Sequence, residues 1–113
     1  MTKRPNLPVI FRNEGTAKKP LIVAVFPTEP GTNDWGTFTV YAHMGQHATG
    51  TKEWYRSTKA AALGDFVDLY AELRGIYDRE GDPDAVKLVL TYRFTQAHDE
   101  ARRAALRAAG RPA

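Results

Sequence analysis

The stretch LGDFVDLYAELRGIYDR, residues 63–79, decides how the rest of the chain is read. Phe66, Leu69, Tyr70, Leu73, Ile76 and Tyr77 fall at i, i+3, i+4, i+7, i+10 and i+11, one face of a 3.6-residue period. The opposite face carries Asp68, Glu72, Arg74 and Asp78, and Gly81-Asp82-Pro83-Asp84 then stops the helix. One amphipathic helix needs an apolar surface to cover, and the flanking segments supply it as strands.

Upstream, Val9-Ile10-Phe11 reads as a first strand, followed by turn chemistry at Asn13-Glu14-Gly15. Leu21 to Phe26 is apolar on both alternating faces, as a central strand requires. Residues 27–36 hold two Pro, two Gly, Asn and Asp and read as a loop. Thr37 to Met44 alternates, with Phe38, Val40, Ala42 and Met44 on one face and Thr37, Thr39, Tyr41 and His43 on the other. Residues 45–51 read as a second polar loop, and Glu53 to Arg56 as a further strand.

Downstream, Lys87 to Phe94 is a strand with Leu88, Leu90, Tyr92 and Phe94 on one face. Thr95 then caps a second helix, with Asp99 and Glu100 favourable to its dipole and an end near Gly110. Most strands precede the first helix, so alternating parallel βαβ units are not expected. The expectation is one α+β domain over residues 1–113: an antiparallel or mixed sheet of three to five strands, the 63–79 helix on one face, and a basic C-terminal helix. Residues 1–8 and 110–113 are expected to be flexible ends.

Composition narrows the chemistry. The 113 residues contain no cysteine, which excludes disulfides, thiol catalysis and iron–sulfur sites. The longest aliphatic run is far shorter than the roughly 20 residues that span a bilayer. Pro5, Asn6 and Pro8 interrupt any signal segment after Lys3 and Arg4. A soluble cytoplasmic protein without membrane attachment is therefore expected. The net charge of +3 hides an asymmetry, because residues 1–19 and 101–113 are each +4 while residues 20–100 are −5.

No catalytic set stands out. His43 and His47 have metal-like spacing only on a helix, and Gly45 interrupts that interval. No metal or cofactor is expected. Gly45 to Lys52 superficially suggests a phosphate loop, but Gly50-Thr51-Lys52 lacks the required Gly-Lys-Ser/Thr order. Ser57 is the only serine and lacks a nucleophile elbow. Seven of the 13 carboxylates lie between Asp65 and Asp84, as a solvated helix face explains.

Two surfaces remain. If the loops at 27–36 and 45–51 meet, they bring together Trp35, Tyr41, His43, Gln46, His47, Trp54 and Tyr55, a composition suited to a binding hot spot. The C-terminal helix carries Arg102, Arg103, Arg107 and Arg111, of which the last three share a narrow arc suited to phosphates. Asp99 and Glu100 can instead pair with Arg102 and Arg103.

Several segments resemble a group of small uncharacterised proteins encoded largely by phages, plasmids and other mobile elements. The matching stretches are Val9-Ile10-Phe11-Arg12, Val25-Phe26-Pro27, Tyr41-Ala42-His43-Met44-Gly45-Gln46-His47, Thr58-Lys59, Asp65 to Leu69 and Glu72-Leu73. The resemblance spans roughly residues 9–77 and implies a shared fold and use of the Gly45–His47 loop, but no catalytic residue. The group typically enters its helix through Thr-x-Pro-Ala-Thr-Pro. Here Thr58-Lys59-Ala60-Ala61-Ala62-Leu63 lacks both prolines, so Asp65 or Thr58 is expected to cap instead.

These features favour a non-enzymatic binding or regulatory module whose partner is another protein. The alternatives are an accessory nucleic-acid binder using the basic ends and a small His- or metal-dependent enzyme at His43 and His47. The pattern leaves the oligomeric state open.

Overall fold

Alternation in the first apolar segment puts Leu7, Val9 and Phe11 on one side and Ile10 on the other, and all four are buried. This strand therefore needs cover on both faces, and the architecture follows from that need. A computed structural model describes residues 5–42, 46–79 and 81–110. Its elements are β1 (Asn6–Asn13), β2 (Ile22–Pro30), β3 (Thr37–Ala42), β4 (Gln46–Thr51), α1 (Lys52–Ser57), β5 (Lys59–Ala60), α2 (Leu63–Tyr77), β6 (Lys87–Leu90) and α3 (Gln96–Ala108).

The strands form a six-stranded mixed sheet of order β4-β3-β2-β1-β5, with β6 also on β1. Neighbours pair antiparallel except β1 and β6, which run parallel from Asn6↔Lys87 to Val9↔Leu90. β5 and β6 share one edge of β1. Val9 O accepts from Thr91 N and Phe11 O from Ala61 N, and alternate carbonyls of a strand point to the same side.

On one face, Phe66, Leu69 and Leu73 of α2 pack against Leu7, Val9, Phe11, Ala24, Phe26 and Leu88. The Phe11 and Phe66 rings stack, with centroids 4.5 Å apart and planes 2° from parallel. On the other face, Ile10, Val23, Val25, Phe38 and Val40 meet Trp54, Tyr55 and Phe94, with α3 packed beyond them. The result is a helix–sheet–helix α+β architecture, of the expected class with one strand more than expected.

Several expectations of detail are corrected. Residues 46–51 are not a loop but edge strand β4, in register with β3 from Ala42↔Gln46 to Thr37↔Thr51. Its polar composition suits an exposed edge. Gly50 fits because a Cβ there would lie 2.7 Å from the Phe38 ring and 2.9 Å from Val40. Residues 53–56 are helix rather than strand: the Thr51 hydroxyl accepts from Trp54 N and caps α1. β2 runs on to Pro30 through a register shift, so the connection to β3 is shorter than residues 27–36.

Asn6 to Pro8 are strand, not a loose end, because β6 pairs with them. The last strand stops at Leu90 rather than Phe94, since β5 occupies the next stretch of the β1 edge. Freed from the sheet, the chain crosses to the other face, leaving Tyr92 67% exposed and seating Phe94 against Phe38. Neither Thr58 nor Asp65 caps α2. Ala62 holds that position without a side-chain bond, while buried Thr58 closes α1 through Tyr55 O. α2 itself ends at Tyr77, and Ile76 is exposed rather than buried.

Phe66 joins α2 to the sheet centre, so its removal tests the α2 layer. Phe66→Ala is expected to cost about 3–5 kcal/mol in a denaturant titration, with an unchanged slope. A loss below about 1 kcal/mol would contradict this packing.

Candidate functional site

The groove at the start of α3 is built around a buried charge. Arg102 projects from α3 into the apolar layer and is 0% exposed. Its guanidinium carbon lies 5.0 Å from the Phe94 ring centroid and 5.6 Å from that of Phe38. A cation there is stable only with hydrogen-bond acceptors around it. Nη1 donates to Pro27 O at 2.6 Å, Nε to Trp35 O at 3.0 Å, and Nη2 to the Asp99 carboxylate one turn earlier. Lys52 of α1 donates to the second Asp99 oxygen, its ammonium 5.4 Å from the Phe94 ring centroid. One carboxylate thus joins α1 to α3, and one guanidinium joins α3 to the irregular stretch of β2 and to the β2–β3 connection.

Burial raises the Asp99 carboxyl pKa, but hydrogen bonds and charge from Lys52 and Arg102 outweigh that and leave it below its ordinary value. His98 is shifted down as well, by burial and the nearby Arg102 charge, against a smaller opposing effect of Asp99. Its Nδ1 accepts from Thr95 N at 3.0 Å, so the ring completes the helix entry as a neutral acceptor.

This framework holds an open groove of about 460 Å³, with Trp35, Lys52, Phe94, Gln96, Glu100 and Arg103 among its lining residues. The Arg103 guanidinium lies 3.8 Å from the Trp35 ring centroid, and its Nε is buried without a hydrogen-bond partner among the described residues. A smaller hollow of about 180 Å³, lined by Lys52, Tyr55, Arg56 and Phe94, adjoins it through shared Lys52 and Phe94. Tyr55 is held by Arg12, 4.4 Å above its ring, and Arg12 also donates to Thr58 Oγ1 and Thr58 O. The surface thus sets cations on rings, with Arg103 over Trp35 and Arg12 over Tyr55.

The expected aromatic and histidine cluster divides between the two faces. β4 does adjoin the β2–β3 connection, with Thr49 Oγ1 donating to Gly31 O. Trp35, Trp54 and Tyr55 lie on the α3 side, where Trp54 packs near Phe38 and donates from Nε1 to Glu14 Oε2. Tyr41 and His47, directly paired between β3 and β4, face α2. Tyr41 is buried and donates to Glu72 Oε2 at 2.7 Å. His47 Nε2 is bonded to the Tyr77 hydroxyl. That hydrogen bond to Glu72, with burial, raises the Tyr41 pKa; burial, with Glu29, raises that of Tyr77. Both phenols therefore stay protonated at neutral pH, and Tyr41 is the donor to Glu72. Gln46 holds the register position opposite Ala42, and His43 lies outside the described residues. No group of three His, Asp or Glu side chains among the described residues is placed to hold a metal.

Of the four candidate arginines, one is corrected. Arg102 is unavailable to phosphate because it lies inside the molecule, Arg103 is stacked on Trp35, Arg107 is exposed, and Arg111 lies outside the described residues. Lys52, Phe94 and Arg12 were not among the sequence candidates. The available signals were Asp99 one turn before Arg102 and a cap at Thr51 that turns Lys52 toward α3. No helix among the described residues is long and apolar enough to cross a membrane. The chain matches no protein family, no curated protein and no solved structure.

The Asp99 junction has a definite pH signature. The folded carboxyl titrates below its unfolded value of about 3.9, so its contribution is present above that pH and is lost as pH falls through the folded value. Asp99→Asn leaves Arg102 uncompensated and is expected to cost about 3 kcal/mol at pH 7. Denaturation of both proteins from pH 7 to pH 2 checks this. The difference between them should hold steady down to about pH 5 and shrink below pH 4. A difference independent of pH would exclude the ion-paired carboxylate.

Proposed function

We propose that the chain is a non-enzymatic binding or regulatory module that receives another protein in the groove between α3, α1 and the β2–β3 connection. The observation that carries this reading is the Trp35–Arg103 stack beside Phe94, with Tyr55 in the adjoining hollow. Trp, Tyr and Arg dominate the energetics of protein interfaces, and ordering them in advance lowers the entropic cost of association. Arg103, half-buried on Trp35, suits a carboxylate or backbone carbonyl of the partner through the exposed part of its guanidinium. We place the protein in the cytoplasm, in the phage and plasmid context that the resembling sequences imply.

Immobilised protein challenged with host lysate tests this. A retained partner is expected to resist nuclease and to lose at least tenfold in affinity with Trp35→Ala or Arg103→Ala, as hot-spot residues do. A partner retained equally by both variants would remove this groove from the interface.

Nucleic-acid binding is favoured by a separate observation: Arg56 and Arg107 are exposed, and Arg56 lines the hollow that contains Tyr55 and Phe94. Cations interleaved with rings bind single strands by stacking and phosphate contact. Under this reading a labelled single-stranded oligonucleotide binds with a steep salt dependence. Arg103→Ala or Arg107→Ala then flattens the logarithmic slope by about 0.7 per lost contact. Absence of salt-dependent binding by the unmodified chain would dispose of it.

A further inference from the structure

We infer that a second groove, on the opposite face, docks a basic amphipathic segment of a partner protein. It lies where the first half of α2 passes the starting end of β2, with a volume of about 480 Å³. Leu21, Ile22 and Leu69 form its apolar surface, and Leu21 is 58% exposed just before β2 begins. An aliphatic side chain left this open beside the core offers an anchor site for another.

The rim fixes the sign of the occupant. Asp65 and Asp68 border the groove together with Glu14, whose carboxylate also accepts from Trp54 Nε1, and no Lys or Arg among the described residues lines it. Asp65 and Asp68 stand one turn apart on α2, and their carboxylates have no hydrogen-bond or ion-pair partner among the described residues. Asp65, in the first turn of α2, already meets the positive end of the helix dipole, and a cation placed beside Asp65 and Asp68 adds favourable surface pairs. An anionic partner is repelled here, and an uncharged apolar one gains nothing from the two carboxylates. A segment with a large aliphatic residue flanked by Lys or Arg satisfies both parts of the site. This inference does not depend on the α3 groove, which lies across the sheet.

The probes are two synthetic helical peptides, one of Leu and Lys and one of Leu and Glu, titrated separately into isotope-labelled full-length protein. The Leu/Lys peptide is expected to shift amide resonances at Glu14, Leu21, Ile22 and residues 65–69. Its affinity should fall roughly tenfold in the Asp65→Asn, Asp68→Asn double variant, as two weak surface pairs imply. Leu21→Ser, at an exposed position outside the strands, should weaken it by a similar factor. The inference is overturned if the shifts are absent or scattered over the surface. Unchanged binding by the double variant, or equal binding of the Leu/Glu peptide, overturns it too. Concentration-dependent self-association that the double variant abolishes would make the occupant a second copy and also overturn it.

Discussion

A guanidinium buried beside two phenyl rings is tolerable only if its hydrogens find acceptors, and Arg102 takes its acceptors from three places in the chain. Pro27 O marks the irregular end of β2, Trp35 O the entry to β3, and Asp99 the first turn of α3. None can shift without exposing a buried charge. α3 has only Leu106 as a buried aliphatic, too little to hold a helix by apolar area alone. Arg102 compensates with directional bonds, and Lys52 extends the arrangement to α1 through the same carboxylate. The neighbouring groove inherits this rigidity, so Trp35 and Phe94 present fixed surfaces.

The sheet also sorts charge. α2 carries Asp65, Asp68 and Glu72 against Arg74, whereas α1 and α3 together carry Lys52, Arg56, Arg102, Arg103 and Arg107 against Glu53, Asp99 and Glu100. An asymmetry that runs along the sequence, with a basic C-terminal end after an acidic middle, thus becomes one across the molecule. A charge distribution of this kind attracts opposite signs to opposite faces, with salt reducing the preference.

What the sequence made legible follows from the range of the interactions involved. The α2 stripe, the alternation of β3 and the Thr95 entry to α3 are encoded within a few residues, and each forms where its pattern lies. β4 escaped notice because its residues suit an edge, where only one strand pairs and neither face demands large apolar groups. α1 escaped because Trp54 and Tyr55 favour strands, while the Thr51 cap acts on a single turn. In the candidate site, the identities of Trp35, Trp54 and Tyr55 were legible, but their separation from Tyr41 and His47 depends on pleat and register. For Arg102, composition suggested an outward cation. Its inward course depends on carbonyls at Pro27 and Trp35, roughly 70 residues away in sequence, which no local pattern reports.

The parallel pairing of β1 with β6 has a kinetic meaning. It joins residues 6–9 to residues 87–90, a closure of about 80 residues around a strand that otherwise has only antiparallel, sequence-nearer neighbours. Loop entropy grows slowly with length, but a contact this distant cannot form until the intervening hairpins have drawn the ends together. During synthesis, the first half of β1 precedes its β6 partner by about 80 residues, so that edge stays unpaired until residues 87–90 have followed. Completion of the sheet is therefore later than formation of the hairpins that lie between the two strands.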